Sequence, residues 1–115
     1  MKGPLSDKLR VQHILDAITE VESYIAGVTE DEFINNSEKR FATIKQIEII
    51  GEACTKISTE VKLAHTEIVW HQIIGFRHIS IHEYHNVSMH IVWDIASNNL
   101  PVLKEQMQRV LAELP

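Results

Sequence analysis

The chain has 115 residues, a net charge of −5 and a hydrophobic content of 44%. This length supports one hydrophobic core and predicts a single domain over residues 1–115. The acidic balance disfavours a protein that coats nucleic acid through a broad basic face, but it allows a small local basic site. No apolar run approaches the roughly 20 residues of a membrane span, and the first residues lack the apolar core of a signal peptide. With a single cysteine, these features predict a cytoplasmic protein.

Apolar residues recur at three- and four-residue steps along most of the chain. This periodicity predicts an all-α fold, an antiparallel bundle of four to five helices. The first helix has an apolar face over residues 5–25 and is expected to stop at Gly27. Thr29 and Glu32 have the spacing of a capping box, which predicts the start of a short helix.

A long helix is then predicted from a Ser37 cap to Val61. Cys54 lies on its apolar stripe and is interpreted as a small buried hydrophobe. Gly51 lies inside this helix, where glycine costs about 1 kcal/mol relative to alanine. It marks either the close approach of another helix, from this chain or a partner, or a tolerated glycine.

Three further helices are predicted in the C-terminal half. One begins near Glu67, enters a polar cluster and ends at residues 85–86. Ser88 is predicted to cap a short helix. Residues 98–99 are expected to interrupt the helical structure before a last helix, whose first turn contains Pro101.

The polar cluster is the segment Arg77–Tyr84, which reads Arg-His-Ile-Ser-Ile-His-Glu-Tyr. Arginine offers a planar fork of donors that fits a phosphate, and histidine transfers protons near neutral pH. Arg77 and His82 are therefore candidates for cleaving RNA without a metal. The histidine would deprotonate a ribose 2′-hydroxyl or protonate the leaving oxygen, and the arginine would stabilise the charge on the phosphorane.

Helix geometry constrains this pair. Positions five apart differ by about 140° around a straight helix, so Arg77 and His82 would not face one ligand. Either the helix ends or distorts near residues 80–82, or two chains share one groove. Tyr84 lies about 20° from Arg77 and is a candidate modification or phosphate-contact position.

Two other interpretations of the cluster remain open. His78 and His82 are four residues apart, which suits a metal pair completed by a third ligand such as a carboxylate. That arrangement would make the protein a metal-dependent hydrolase. Alternatively, the histidines form a surface patch and Arg77 takes part in an ordinary ion pair.

The motif Arg77-x4-His82-x-Tyr84 resembles that of the HepT-like toxins, small helical RNases of the HEPN superfamily. Other segments resemble the family in the same order, so the resemblance covers about residues 9–110. These segments are 49–53, 67–76, 92–95 and 99–104.

The resemblance implies an all-α homodimer whose two motifs face a shared groove. It also implies metal-independent endoribonuclease activity with no cofactor and with Arg77 and His82 as the catalytic pair. His78, directly after the arginine, and Glu52 correspond to candidate supporting positions. The implied partner is an MntA-type nucleotidyltransferase antitoxin that transfers AMP from ATP to Tyr84, where the added anionic group would repel an RNA phosphate.

Two functions follow from this resemblance. The first is the toxin of a type II toxin–antitoxin system, inactivated by AMPylation of Tyr84. The alternative is a catalytically inactive HEPN-like binding module that associates with a nucleotidyltransferase.

Overall fold

The computed structural model describes residues 4–80 and 87–115, and within these ranges the chain is helical and contains no strand. The all-α prediction is confirmed. The α-helices are α1 (Pro4–Ile25), α2 (Glu30–Ile34), α3 (Ser37–Thr55), α4 (Thr59–Ala64), α5 (Trp70–Gly75), α6 (Met89–Asp94) and α7 (Leu100–Glu113). None of the helices in the described ranges is long and apolar enough to cross a membrane.

The core lies where α1 packs against α3 and α7. Its buried residues follow the three- and four-residue steps seen in the sequence, because each helix turns one apolar stripe inwards. They include Val11, Ile14, Ile18 and Val21 in α1, Ile44, Ile47, Ile50 and Cys54 in α3, and Leu103, Met107 and Val110 in α7. The predicted burial of Cys54 is thereby confirmed.

Two local signals at helix ends are also confirmed. Gly27 follows α1 with φ of 71°, the left-handed conformation that glycine adopts at low cost. In the capping box, the Glu32 N–H donates to the Thr29 hydroxyl at 3.2 Å, and the Thr29 N–H donates to the Glu32 carboxylate at 2.9 Å. The hydrogen bonds from Thr29 lower the pKa of the Glu32 carboxyl.

The second long helix differs from its prediction at the start. Asn36, not Ser37, is the N-cap, and its side-chain oxygen accepts from the Lys39 N–H at 3.0 Å. Both residue types cap helices well, and the choice between neighbours depends on the backbone. Ser37 is instead the first helical residue.

This helix also ends earlier than predicted, at Thr55 rather than Val61. Ser58 caps the separate helix α4. The buried Asp7 carboxylate accepts from both the N–H and the hydroxyl of Ser58, each at 2.7 Å. This contact from α1 holds Ser58 in a capping conformation and separates α3 from α4.

The predicted interruption of the α-helix at residues 98–99 is present, and α7 begins at Leu100 with Pro101 in its first turn, as predicted. A π-helical segment, Ile95–Asn99, connects α6 directly to α7. A proline within an α-helix clashes with the carbonyl four residues earlier, and a π turn relieves that clash by widening the helix before Pro101. The Ser88 cap of α6 is confirmed, since its hydroxyl accepts from the His90 N–H at 3.2 Å.

Candidate functional site

Arg77 lies in a short 3-10 turn that follows α5. The turn covers Phe76–His78, and the Ile79 N–H closes it by donating to the Phe76 carbonyl at 3.0 Å. Ile79 is extended, with φ of −87° and ψ of 103°. The prediction of one helix through the polar cluster to residues 85–86 is therefore wrong.

The start of α5 also differs from its prediction. The helix begins at Trp70 rather than near Glu67, and Val69 at its N-cap makes no side-chain cap hydrogen bond. The Trp70 indole N–H donates to the His65 carbonyl at 2.9 Å, which fixes the turn before α5.

His82 and Tyr84 lie outside the described residues. The 140° separation between Arg77 and His82 assumed a continuous α-helix, and that assumption does not hold. One of the two alternatives was that the helix ends or distorts near residues 80–82. Helix α5 does end before position 82, but it ends earlier than expected, at Gly75. Pairing of two chains in one groove stays a prediction.

The Arg77 turn is packed directly onto α3 at Gly51. A Cβ atom on Gly51 would lie 3.0 Å from the Phe76 carbonyl carbon and 3.1 Å from the Arg77 Cα, and closer still to the Arg77 nitrogen. Phe76 is 5% exposed and anchors the turn in the core. Close approach, one of the two interpretations of Gly51, is confirmed, and the approaching segment is this turn.

The Arg77 and His78 side chains are exposed. Within residues 4–80 and 87–115, neither side chain takes part in a hydrogen bond or an ion pair. No carboxylate within these ranges therefore neutralises the exposed Arg77 guanidinium.

Glu52, a candidate supporting residue, is exposed on α3 directly after Gly51. Its carbonyl accepts from the Thr55 hydroxyl at 2.6 Å. No hydrogen bond or ion pair joins its carboxylate to Arg77. The structure places Glu52 near the turn, in the wall of a pocket, rather than as a partner of the arginine.

The sequence did not predict this pocket, which lies between α1 and α3 and has a volume of about 210 Å³. We call it the basic pocket. Its ionisable lining residues are Arg10 and His13 from α1, Lys45, Glu48 and Glu52 from α3, and Lys56 directly after α3. The three- and four-residue spacing of these positions was a visible signal, but periodicity does not tell which polar faces of two helices meet.

Among the residues that the structure describes, no group of three or more His, Cys, Asp or Glu side chains is arranged to hold a metal ion. His82 of the predicted metal pair lies outside those residues. The metal-dependent alternative therefore stays a prediction.

The chain matches a known protein family over most of its length. The family model described as "Ribonuclease HepT-like" matches residues 14–110, which include Arg77, His82 and Tyr84. This chain belongs to the HepT-like ribonuclease family. The resemblance to that HEPN-superfamily family is thereby confirmed.

Relatives with curated names agree with this placement. A protein of Methanocaldococcus jannaschii named "Gamma-glutamylcyclotransferase and putative RNase" is 33% identical over 93% of this chain, which spans only 48% of that relative. The "Probable ribonuclease HepT" of Thermococcus cleftensis is 30% identical over 91% of this chain and 96% of its own length. No solved structure matches the chain.

Proposed function

We propose that this protein is the toxin of a type II toxin–antitoxin pair, a metal-independent endoribonuclease in which Arg77 and His82 act on RNA. The observation that carries this proposal is the exposed Arg77. Its backbone is packed against Gly51, and its guanidinium is unpaired among the described residues. In a member of a ribonuclease family, an exposed guanidinium on a packed backbone, five residues before a histidine, fits the cleavage of a phosphodiester.

The proposed reaction uses the RNA itself as the nucleophile. His82 takes the proton from a ribose 2′-hydroxyl, and the oxygen attacks the adjacent phosphorus. The bond from phosphorus to the 5′-oxygen breaks, and a proton returns to that oxygen. Arg77 stabilises the negative charge on the phosphorane. The products are a 2′,3′-cyclic phosphate and a 5′-hydroxyl.

The test of catalysis is cleavage of RNA by purified protein in the presence of EDTA. We expect wild-type protein to cut and to leave cyclic phosphate ends. Arg77→Ala and His82→Ala should each lower the rate by about 10²- to 10⁴-fold. Loss of wild-type cleavage in EDTA, restored by a divalent metal, would support the metal-dependent hydrolase. If wild-type protein neither cuts RNA nor slows growth when expressed alone, the inactive binding module is the better description.

The second part of the proposal is a homodimer with one shared groove. If each site combines Arg77 of one chain with His82 of the other, a mixture of Arg77→Ala and His82→Ala chains contains some intact sites. Random re-pairing of equal amounts should restore about a quarter of wild-type activity. No recovery after the chains have exchanged would place both groups of a site on one chain.

The third part is regulation by a nucleotidyltransferase that transfers AMP to Tyr84. A bulky anion near the arginine would compete with the RNA phosphate. Incubation with the partner enzyme and ATP should add one AMP to the protein and abolish cleavage. Tyr84→Phe should stay active and unmodified. An adduct that persists in Tyr84→Phe would assign the modification to another residue.

A further inference from the structure

The basic pocket gathers positive charge in an acidic protein. Three of its lining residues are cationic, Arg10, Lys45 and Lys56, and a histidine accompanies them. The whole chain, by contrast, contains 11 Lys and Arg against 16 Asp and Glu. The two carboxylates of the pocket do not cancel its three cations, so it retains a local positive charge.

The cations of the pocket are only weakly engaged within the protein. Lys45 reaches Glu48 at 3.7 Å, but the lysine side chain is 56% exposed, and an exposed pair of this kind contributes little. The Arg10 Nε is shielded from solvent and has no hydrogen-bond partner among the described residues. No carboxylate within residues 4–80 and 87–115 forms an ion pair with the guanidinium that Arg10 contributes to the pocket wall.

The basic pocket lies beside the Arg77 turn on the same helix. Gly51, against which the turn packs, is three residues after Glu48 and one before Glu52 in α3. At 100° per residue, these two pocket residues lie about 60° and about 100° around the helix from Gly51, within one helix diameter of about 10–12 Å. The pocket and the turn therefore occupy adjoining faces of α3.

We propose that the basic pocket binds a backbone phosphate of the RNA, close in the strand to the phosphate held at Arg77. This inference rests on the proposed function and adds a second anchoring point to it. Contacts to phosphates fix the position of a nucleic acid without reading its sequence. The pocket would thus allow an acidic protein to bind RNA through a few placed cations instead of a broad basic face.

The test measures binding separately from cleavage, in a His82→Ala background, with a labelled single-stranded RNA over a range of salt concentrations. The pocket variant is Lys45→Gln/Lys56→Gln. The control, Lys8→Gln/Arg109→Gln, removes the same charge from exposed residues outside the pocket. For a single strand, a protein that binds one phosphate fewer has a slope of log affinity against log salt that is smaller by about 0.7.

We expect the pocket variant to bind about tenfold more weakly and with a slope reduced by at least about 0.7, while the control changes little. Lys45→Arg/Lys56→Arg should keep the slope. Equal slopes in the pocket and control variants would overturn the inference. So would a pocket variant whose only change is its oligomeric state in sedimentation, which would assign the pocket to a protein interface.

The same experiment separates this inference from the proposed function. If wild-type protein cuts RNA but the two double variants share one slope, only the phosphate site is wrong. If wild-type protein fails to cut RNA but the pocket variant alone has a reduced slope, the nuclease proposal is wrong and the phosphate site stands. Absence of any RNA binding would overturn both.

Discussion

The backbone nitrogen of Arg77 occupies the space in which a side chain on Gly51 would begin. The position of the candidate catalytic arginine therefore depends on a residue with no side chain, on a different helix. Because backbone atoms give way less easily than the end of a flexible side chain, a methyl group at this point must displace the turn.

Gly51→Ala should accordingly lower activity and stability together. The displaced turn would cost about 1–3 kcal/mol, which outweighs the gain of about 1 kcal/mol in helix propensity. A shift of about 1 Å in a catalytic group costs roughly 10²-fold in rate. The measurements are urea unfolding and the rate of RNA cleavage.

Gly75→Ala is the matched control, because a Cβ there meets no atom within 4 Å and its φ is −61°. It should stabilise the protein by about 0.4–1 kcal/mol and leave cleavage unchanged. If the two alanine variants behave alike, Gly51 does not position Arg77.

Signals that depend on neighbours in sequence predicted the fold well. The apolar stripes of α1 and α3, the capping box and the Gly27 stop all arise within a few residues, and all are present. Gly51 was recognised as unusual for the same reason, since glycine is unfavourable inside any helix.

Features that depend on distant contacts were not predictable in this way. The end of α3 needs Asp7, which is 51 residues from Ser58. The 3-10 turn at Arg77 needs the surface of α3, and the basic pocket needs the relative rotation of two helices. Motif spacing indicates candidate site residues, but the angles between them were derived for a straight helix, and the chain turns after Gly75.

The Asp7–Ser58 contact should contribute strongly to stability. Asp7 is 2% exposed and accepts two hydrogen bonds of 2.7 Å, so Asp7→Ala leaves the buried Ser58 N–H and hydroxyl without their acceptor. We expect a loss of about 2–4 kcal/mol in urea unfolding. Asp16→Ala removes an exposed carboxylate that, among the described residues, accepts only from Gln12, and it should change stability by less than about 0.5 kcal/mol. If both variants lost the same free energy of unfolding, the buried Asp7–Ser58 contact would contribute no more than an exposed one.

Glu32 should make the stability of the protein depend on acid pH. Hydrogen bonds from Thr29 lower the pKa of its carboxyl below the ordinary value of 4.5. A lowered pKa in the folded state means that this stabilisation is present above the unfolded pKa and is lost as the pH falls through the folded value. Glu32→Gln keeps an acceptor for the capping box but does not titrate.

The melting temperature of wild-type protein should therefore exceed that of Glu32→Gln near neutral pH, and the gap should close in acid. Glu38→Gln is a suitable control, because it removes a carboxylate from the first turn of α3 that takes no part in a cap. A gap that stays constant down to the lowest pH would assign the effect of Glu32 to something other than its ionisation.

Cys54 should be chemically inert in the folded protein. Burial raises the pKa of its thiol to about 11, although the charge of Lys62 acts in the opposite direction. At pH 8 only about one molecule in 10³ then carries the reactive thiolate, and the side chain is inaccessible as well. We expect a thiol reagent to modify Cys54 only after the chain unfolds, so that the rate of labelling rises with urea in parallel with unfolding. Rapid labelling of native protein at pH 8 would contradict this, since it requires an exposed or activated thiol.

Cys54→Ser should lower the free energy of unfolding by about 1–3 kcal/mol because it buries a hydroxyl, whereas wild-type protein buries only a weakly polar thiol.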